Sequence, residues 1–201
     1  MDSPLMRFLS RMGDLAVLNL LWLVCCLPVV TVGASTVAMN FTAQELLDDA
    51  CSGVSASFFK AFRRDWKQAT VLWLIFLAAG ALCTAEILIL LQNRFSLVLT
   101  ALCLLPPLAV LFAASYAFPL LAHFDNTTKN TLKNALLLSV GNLPRSFALG
   151  AVNLIPLALA LYLPPLFLYT GAFWLFFGFS SLCYACSAIL RPVLRRLEEG
   201  A

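Results

Sequence analysis

Long apolar runs, interrupted by short polar segments, dominate the hydropathy pattern of this chain. Five of them stand out: Leu15 to Met39, Gln68 to Leu91, Ser96 to Ala122, Ser146 to Leu163 and Pro165 to Leu190. Each reaches the roughly 18 to 25 residues that an α-helix needs to cross about 30 Å of hydrocarbon. The pattern predicts an all-α, polytopic helical membrane bundle of about five spans. Pro28 and Gly33 interrupt the first run, which is therefore either one crossing helix or a re-entrant hairpin of two short helices, Leu15 to Leu27 and Ala34 to Leu47. Behind Arg7 and Arg11, Val32-Gly33-Ala34-Ser35 also resembles a signal-cleavage site after Ala34, but with four further apolar runs downstream the segment reads as a retained part of the bundle.

Within the runs, prolines and small residues predict shape. Pro106-Pro107 breaks the third span near its middle, Pro119 bends its inner end, Pro156 bends the fourth, and Pro164-Pro165 makes a tight turn before the fifth. In the fifth span Gly171, Gly178, Ser181, Ala185 and Ala188 form a stripe of small residues suited to close helix packing.

Two polar segments carry helical periodicity. In Ser57 to Lys67, Phe58, Phe59, Phe62 and Trp66 recur at helical spacing, with Lys60, Arg63, Arg64 and Lys67 as a second stripe. This predicts an amphipathic helix at the headgroups, its rings in the acyl boundary and its cations facing anionic lipid or a partner. From His123 to Asn134, Asn126, Asn130 and Asn134 are spaced by four. Beyond them Ala135 to Val140 turns apolar, and Gly141 and Pro144 stop a helix that would lie on the inner face. Lys129 and Lys133 there extend the candidate partner or headgroup surface formed by Lys60, Arg63, Arg64, Trp66 and Lys67.

Composition sharpens the picture. Hydrophobic residues make up 62% and charged residues 11% of the 201 positions, which leaves too little polar surface for a soluble fold. The longest stretch between apolar runs, Asn40 to Lys67, has 28 residues, below the roughly 40 at which an independent domain begins to fold. Residues 1–201 thus read as a single transmembrane domain. The net charge of +3 is spread over helix ends, giving no support for nucleic-acid binding. With five crossings, ten Lys and Arg fall on one side and three on the other; with a hairpin first, the split is twelve to one. Both versions put the two large loops and the C-terminus in the cytoplasm by the positive-inside rule, and only the N-terminus changes side. An inside position makes the glycosylation patterns at Asn40 and Asn126 accidental.

Candidate chemistry is sparse. Six of the seven cysteines lie in apolar runs, and Cys183 and Cys186 share a helix face without the further ligands a metal site needs, so all read as packing residues and no cofactor is expected. Glu86, about 9 Å by helical rise from the end of its span, is an intramembrane acid and hence a functional candidate, or else a snorkelling group that meets Arg94. Asn153 beside Pro156 either lines a cavity or bonds another helix. His123, the single histidine, sits at the inner end of the third span. No pairing of carboxylates, metal ligands or nucleophile and base indicates an enzyme.

Several of these segments together resemble a known family. They are Met12-Gly13-Asp14-Leu15 with Asn19-Leu20-Leu21-Trp22, Leu27 through Ala34, Ser57-Phe58-Phe59-Lys60 with Lys67-Gln68-Ala69-Thr70, Phe118-Pro119-Leu120-Leu121, Thr131 through Ala135, and Leu143-Pro144-Arg145. In this order, over about three quarters of the chain, they are similar to the bacterial YesL family of integral membrane proteins of undefined biochemistry. The resemblance implies a bacterial cell-membrane protein encoded near carbohydrate uptake systems and their sensors. The cytoplasmic loop shared by permease subunits of ATP-driven importers is not matched: Lys133-Asn134-Ala135 lacks its acidic residue, and Gly141 follows Ala135 by six positions instead of four. The expected function is an accessory or interaction component linked to carbohydrate uptake, with the bilayer and an importer subunit or membrane sensor as partners; the alternative is an autonomous small-solute carrier.

Overall fold

A computed structural model describes residues 4–92, 96–124 and 126–199. Arg94, the expected partner of Glu86, lies outside the described residues. Helices α1 (Pro4–Cys25) and α2 (Val32–Leu47) form a hairpin whose turn holds Pro28 and a single 3-10 turn at Val29–Thr31. Proline cannot extend a helix at this point, and the Thr31 hydroxyl, 2.6 Å from the Cys25 carbonyl, closes the end of α1. At the open end of the hairpin, the Arg11 guanidinium donates to the Leu46 carbonyl and pairs with Asp49. Asp49 adopts a φ of 54° and Ala50 N–H donates to Glu45 O at 2.9 Å, the left-handed cap that ends many helices. The first apolar run is therefore the hairpin, not a crossing helix. Ala34 is buried within α2, so Val32 to Ser35 is not presented as a cleavage loop.

Helix α3 (Val54–Gln92) has 39 residues and measures about 58 Å, nearly twice the hydrocarbon thickness. Its buried stripe, Val54, Ser57, Phe58, Ala61, Asp65, Ala69, Leu72 and Phe76, keeps one helical phase throughout. The helix expected over Ser57 to Lys67 is present, as the first part of α3. That segment runs unbroken into the second span; Phe58 is fully buried and Phe62 packs on the core, while Phe59 and Trp66 remain outside. The reason is α2, against which this half of α3 lies so closely that a Cβ on Gly33 would sit 2.4 Å from the Ala69 carbonyl and 2.6 Å from Trp73 Cβ.

The third run is broken at Leu104 into α4 (Leu97–Cys103) and α5 (Leu105–His123), with Pro106 and Pro107 in the first turn of α5, where a missing N–H costs nothing. Helix α6 (Thr128–Gly141) packs against α5 through Thr131, Ala135 and Ser139, residues spaced by four. It is the helix expected after the third span, packed onto α5 by its buried face. Helix α7 (Leu143–Tyr162) follows at once, and the Ser146 hydroxyl ties three helices together, lying 2.7 Å from Ser139 O and 3.2 Å from Tyr116 Oη. Pro164 and Pro165 begin α8 (Pro164–Tyr169). A short α9 (Gly171–Phe173) then leads through a π-helical segment, Trp174–Gly178, into α10 (Phe179–Glu199).

The π-helical segment is held from the other end of the chain. Asn19, wholly buried in α1, donates through Nδ2 to the carbonyls of Trp174 (3.1 Å) and Leu175 (2.7 Å) and accepts the Ser180 N–H at 2.8 Å. One amide thus satisfies three backbone groups at the site where the regular ladder is interrupted. Four helical stretches are long and apolar enough to span a bilayer: Val54–Leu90, Leu99–His123, Leu143–Tyr162 and Gly171–Leu197. The molecule is an all-helical membrane bundle with one hairpin and, among the described residues, four candidate spans.

Candidate functional site

Helices α1, α2, α3, α5, α7 and α10 surround a cavity of about 600 Å³. The hairpin contributes Trp22, Val32, Thr36, Met39 and Asn40; α3 gives Trp73, α5 gives Ser115, Phe118 and Pro119, α7 gives Asn153 and Pro156, and α10 gives Phe179, Cys183 and Cys186. Among the described residues, no charged side chain lines it. Aromatic and aliphatic surface predominates, and the polar groups are few: Trp22 Nε1 donates to Thr36 Oγ1 (3.3 Å), Asn40 Nδ2 to Thr36 O (2.8 Å), and Asn153 Nδ2 to Ser115 Oγ (3.1 Å). Trp73 Nε1 is buried with no protein acceptor.

Two of the lining residues are prolines inside helices, Pro119 in α5 and Pro156 in α7. Each lacks an N–H for the carbonyl four residues earlier, those of Ser115 and Val152. An uncharged cavity of this size, mainly apolar with a few placed polar groups, has the make-up of a site for a small organic ligand.

The residues singled out from sequence fall in several places. Asn153 both lines the cavity and bonds another helix, so its two readings coincide. Glu86 is partly exposed on the far half of α3 and lines none of the cavities described here. Lys60, Arg63, Trp66, Lys67, Lys129 and Lys133 are all exposed, and Lys67 Nζ stands 5.7 Å from the centre of the Trp66 ring. Arg64 differs from them. Its guanidinium pairs with the buried Asp65 (2.8 Å), donates to the Ala122 carbonyl at the end of α5 (2.8 Å) and stacks over the Phe41 ring at 5.0 Å.

The small-residue stripe is divided by the π-helical segment, which shifts the helix face between Gly171 and Ser181. Gly178 is buried, and a Cβ there would meet the Trp174 ring at 2.3 Å. Gly171 has open space around it and Ser181 is partly buried, whereas Ala185 and Ala188 face outward. The buried face of α10 is instead Ser180, Cys183, Cys186, Ser187, Leu190, Val193 and Leu194. Sequence reasoning missed Asn19, Trp73 and Asp65 as individual residues, although Asn19 lies in a segment that carried the family likeness, and it took Gly33 for a break, whereas Gly33 is a buried close-contact position inside α2.

Comparison with known proteins agrees with that likeness. The family described as "Protein of unknown function, DUF624" matches residues 15–87, the region that holds the second half of α1, α2 and most of α3. The chain is 26% identical over 201 residues to the "Uncharacterized protein YesL" of Bacillus subtilis (strain 168), an alignment covering 98% of this chain and 92% of that protein. No solved structure matches. Residues 15–87 thus match a family of unknown function, and the chain as a whole is similar to YesL.

Proposed function

We propose that the protein is a multi-pass, non-enzymatic protein of the bacterial cytoplasmic membrane that binds a small, neutral, amphipathic solute in its central cavity and carries it across the bilayer in support of carbohydrate uptake. The observation that carries this reading is the uncharged cavity of about 600 Å³ between helices, two of which carry a proline in their interior, a mainly apolar site of the kind that takes a small ligand. The hairpin supports the twelve-to-one distribution of Lys and Arg, and with it a cytoplasmic C-terminus. Trp22 and Trp73 supply an internal reporter. A panel of labelled mono- and disaccharides and their alkyl glycosides, titrated against the purified protein, is expected to change tryptophan emission and to show uptake into proteoliposomes. Asn153→Leu is expected to reduce uptake at least tenfold with little loss of thermal stability. Uptake no faster than into protein-free liposomes across the panel would overturn the carrier reading.

A second reading rests on a different observation. Lys60, Arg63, Lys67, Lys129 and Lys133 stay exposed and form no ion pair with another described residue, while Arg11, Arg64, Arg191 and Arg195 are held in the fold. An accessory protein that docks an importer subunit or sensor would use such cations. Crosslinking pull-downs from native membranes are expected to recover that partner and to lose it when Lys60, Arg63 and Lys67 are reversed to Glu. Arg64 is left unchanged there, because its reversal would break the fold.

A further inference from the structure

Most polar groups in the wall of the central cavity are committed to the protein, and what they leave over is selective. The Thr36 hydroxyl donates to Val32 O at 2.8 Å and accepts Trp22 Nε1–H, and the Ser115 hydroxyl donates to Leu111 O at 2.8 Å. Neither hydroxyl has a proton left for a ligand. The two amides differ. Asn40 Nδ2 faces the backbone carbonyl of Thr36, which can only accept, so the amide is turned with Oδ1 on the other side. Asn153 Nδ2 faces the Ser115 hydroxyl, whose proton is already used, so Asn153 must donate there and its Oδ1 is likewise turned away. Among the described residues, nothing donates to either oxygen. Asn40 lines the cavity and is only 6% exposed. Its Oδ1 is nevertheless not sealed in, in contrast to Trp73 Nε1, and the cavity is the space this side chain adjoins. Asn153 is exposed and lines the same cavity. A carbonyl oxygen on a side chain more than nine-tenths buried, open to a cavity and without a donor, is costly to leave bare.

We infer that the ligand of this cavity is a neutral alcohol or polyol held by a hydroxyl group at Asn40, with a second hydroxyl position at Asn153; this rests on the reading of the cavity as a solute site. An amide end offers a carbonyl oxygen and an N–H. A hydroxyl donates and accepts at once and so complements both, whereas an ether or ketone can only accept. Charge is disfavoured in either sign. Among the described residues no lining cation is there to pair an anion and no lining carboxylate to pair an ammonium, and burial of an unpaired charge is costly. The carbon frame of the ligand meets Trp22, Trp73, Phe118 and Phe179, with the Trp22 and Phe179 rings 4.8 Å apart as one aromatic wall. A cyclic skeleton with hydroxyls on its edge suits both kinds of surface. Asn40 is thus the residue that separates alcohols from ethers of the same shape.

Matched probes test this on the full chain in lipid nanodiscs, read by tryptophan emission: cyclohexanol against its methyl ether, and methyl glucoside against its fully O-methylated form. Partition into an apolar cavity alone ranks the ethers higher. A hydroxyl site ranks the alcohols higher, by roughly fivefold or more in Kd, because an ether leaves the amide oxygen unpaired. In Asn40→Leu, which keeps the side-chain shape, the preference for the alcohols is expected to disappear while the ethers bind as before; a merely structural role for Asn40 would weaken both members of each pair together. Cyclohexylammonium is expected to bind no more tightly than cyclohexanol. Wild-type protein that binds the ethers as tightly as the alcohols, or the ammonium more tightly than the alcohol, would overturn the inference, leave water at Asn40 and keep the cavity as a solute site. Emission unchanged by every probe would remove the solute site itself, and the inference with it.

Discussion

Between Val54 and Phe76, α3 buries a residue every three or four positions against α2 and α5, whereas none of residues 77–90 is buried. The backbone is the same continuous helix, and the far half is the more apolar of the two. Hydropathy alone therefore does not distinguish protein-facing from lipid-facing surface, because in a bilayer a leucine is satisfied by either. What separates the halves is the set of small and polar residues that specify close approach. The hairpin half holds Gly33 against the Ala69 carbonyl, Asp65 under Arg64, and Asn19 on the π-helical segment. The far half holds Gly80, with nothing within 4 Å of an added Cβ, and Thr84, whose hydroxyl donates to its own helix at Gly80 O.

This contrast is tested most sharply at Asn19. Asn19→Leu leaves two carbonyls and one N–H unpaired in a buried place, and a loss of about 4 kcal/mol is expected, seen as collapse of monodisperse protein in detergent. Retention of wild-type Tm would show that the π-helical segment satisfies itself. Next in size is the pair Leu72→Ala and Leu82→Ala. Leu72 is wholly buried and Leu82 is 73% exposed, so the first is expected to cost about 3 kcal/mol and the second less than about 0.5. Equal effects in reversible unfolding would erase the difference between the two halves. Removal of the Arg64 charge in Arg64→Gln leaves Asp65 buried and unpaired at a cost of about 2 kcal/mol, whereas Arg63→Gln on the exposed face is expected to be silent. The smallest contrast is between glycines: Gly33→Ala should cost about 1–2 kcal/mol by overpacking, and Gly80→Ala should gain about 0.5 by stiffening the helix. A stability gain at both sites would remove the close contact from the account of α2 and α3.

The spans were legible from sequence because their signal is local: run length, and the prolines at 106, 107, 119, 156, 164 and 165, act within a few residues of where they sit. The hairpin was legible only as one of two options, since Pro28 and Gly33 report an interruption and not the direction the chain takes afterwards. Contacts between distant segments left no such mark. Phe58, Asp65 and Leu72 share a stripe, but the charge on Asp65 and the basic residues beside it drew attention to the opposite face. The cavity likewise collects residues from six helices; of these Asn153, Pro119, Pro156, Cys183 and Cys186 stood out in the sequence, and only Asn153 as a cavity residue. The small-residue stripe misled for a related reason, because a π-helical turn breaks the periodicity on which a stripe depends.

The bond made by Asn19 also sets an order of events during synthesis. Its partners lie 155 to 161 residues further along the chain, and at about 5–20 residues per second they emerge roughly 8 to 30 s later. Through that interval the hairpin is inserted with a bare amide and no destination for it. A chain released before α10 therefore leaves the ribosome marked by an unmet polar group, and α10 is the helix that completes α1.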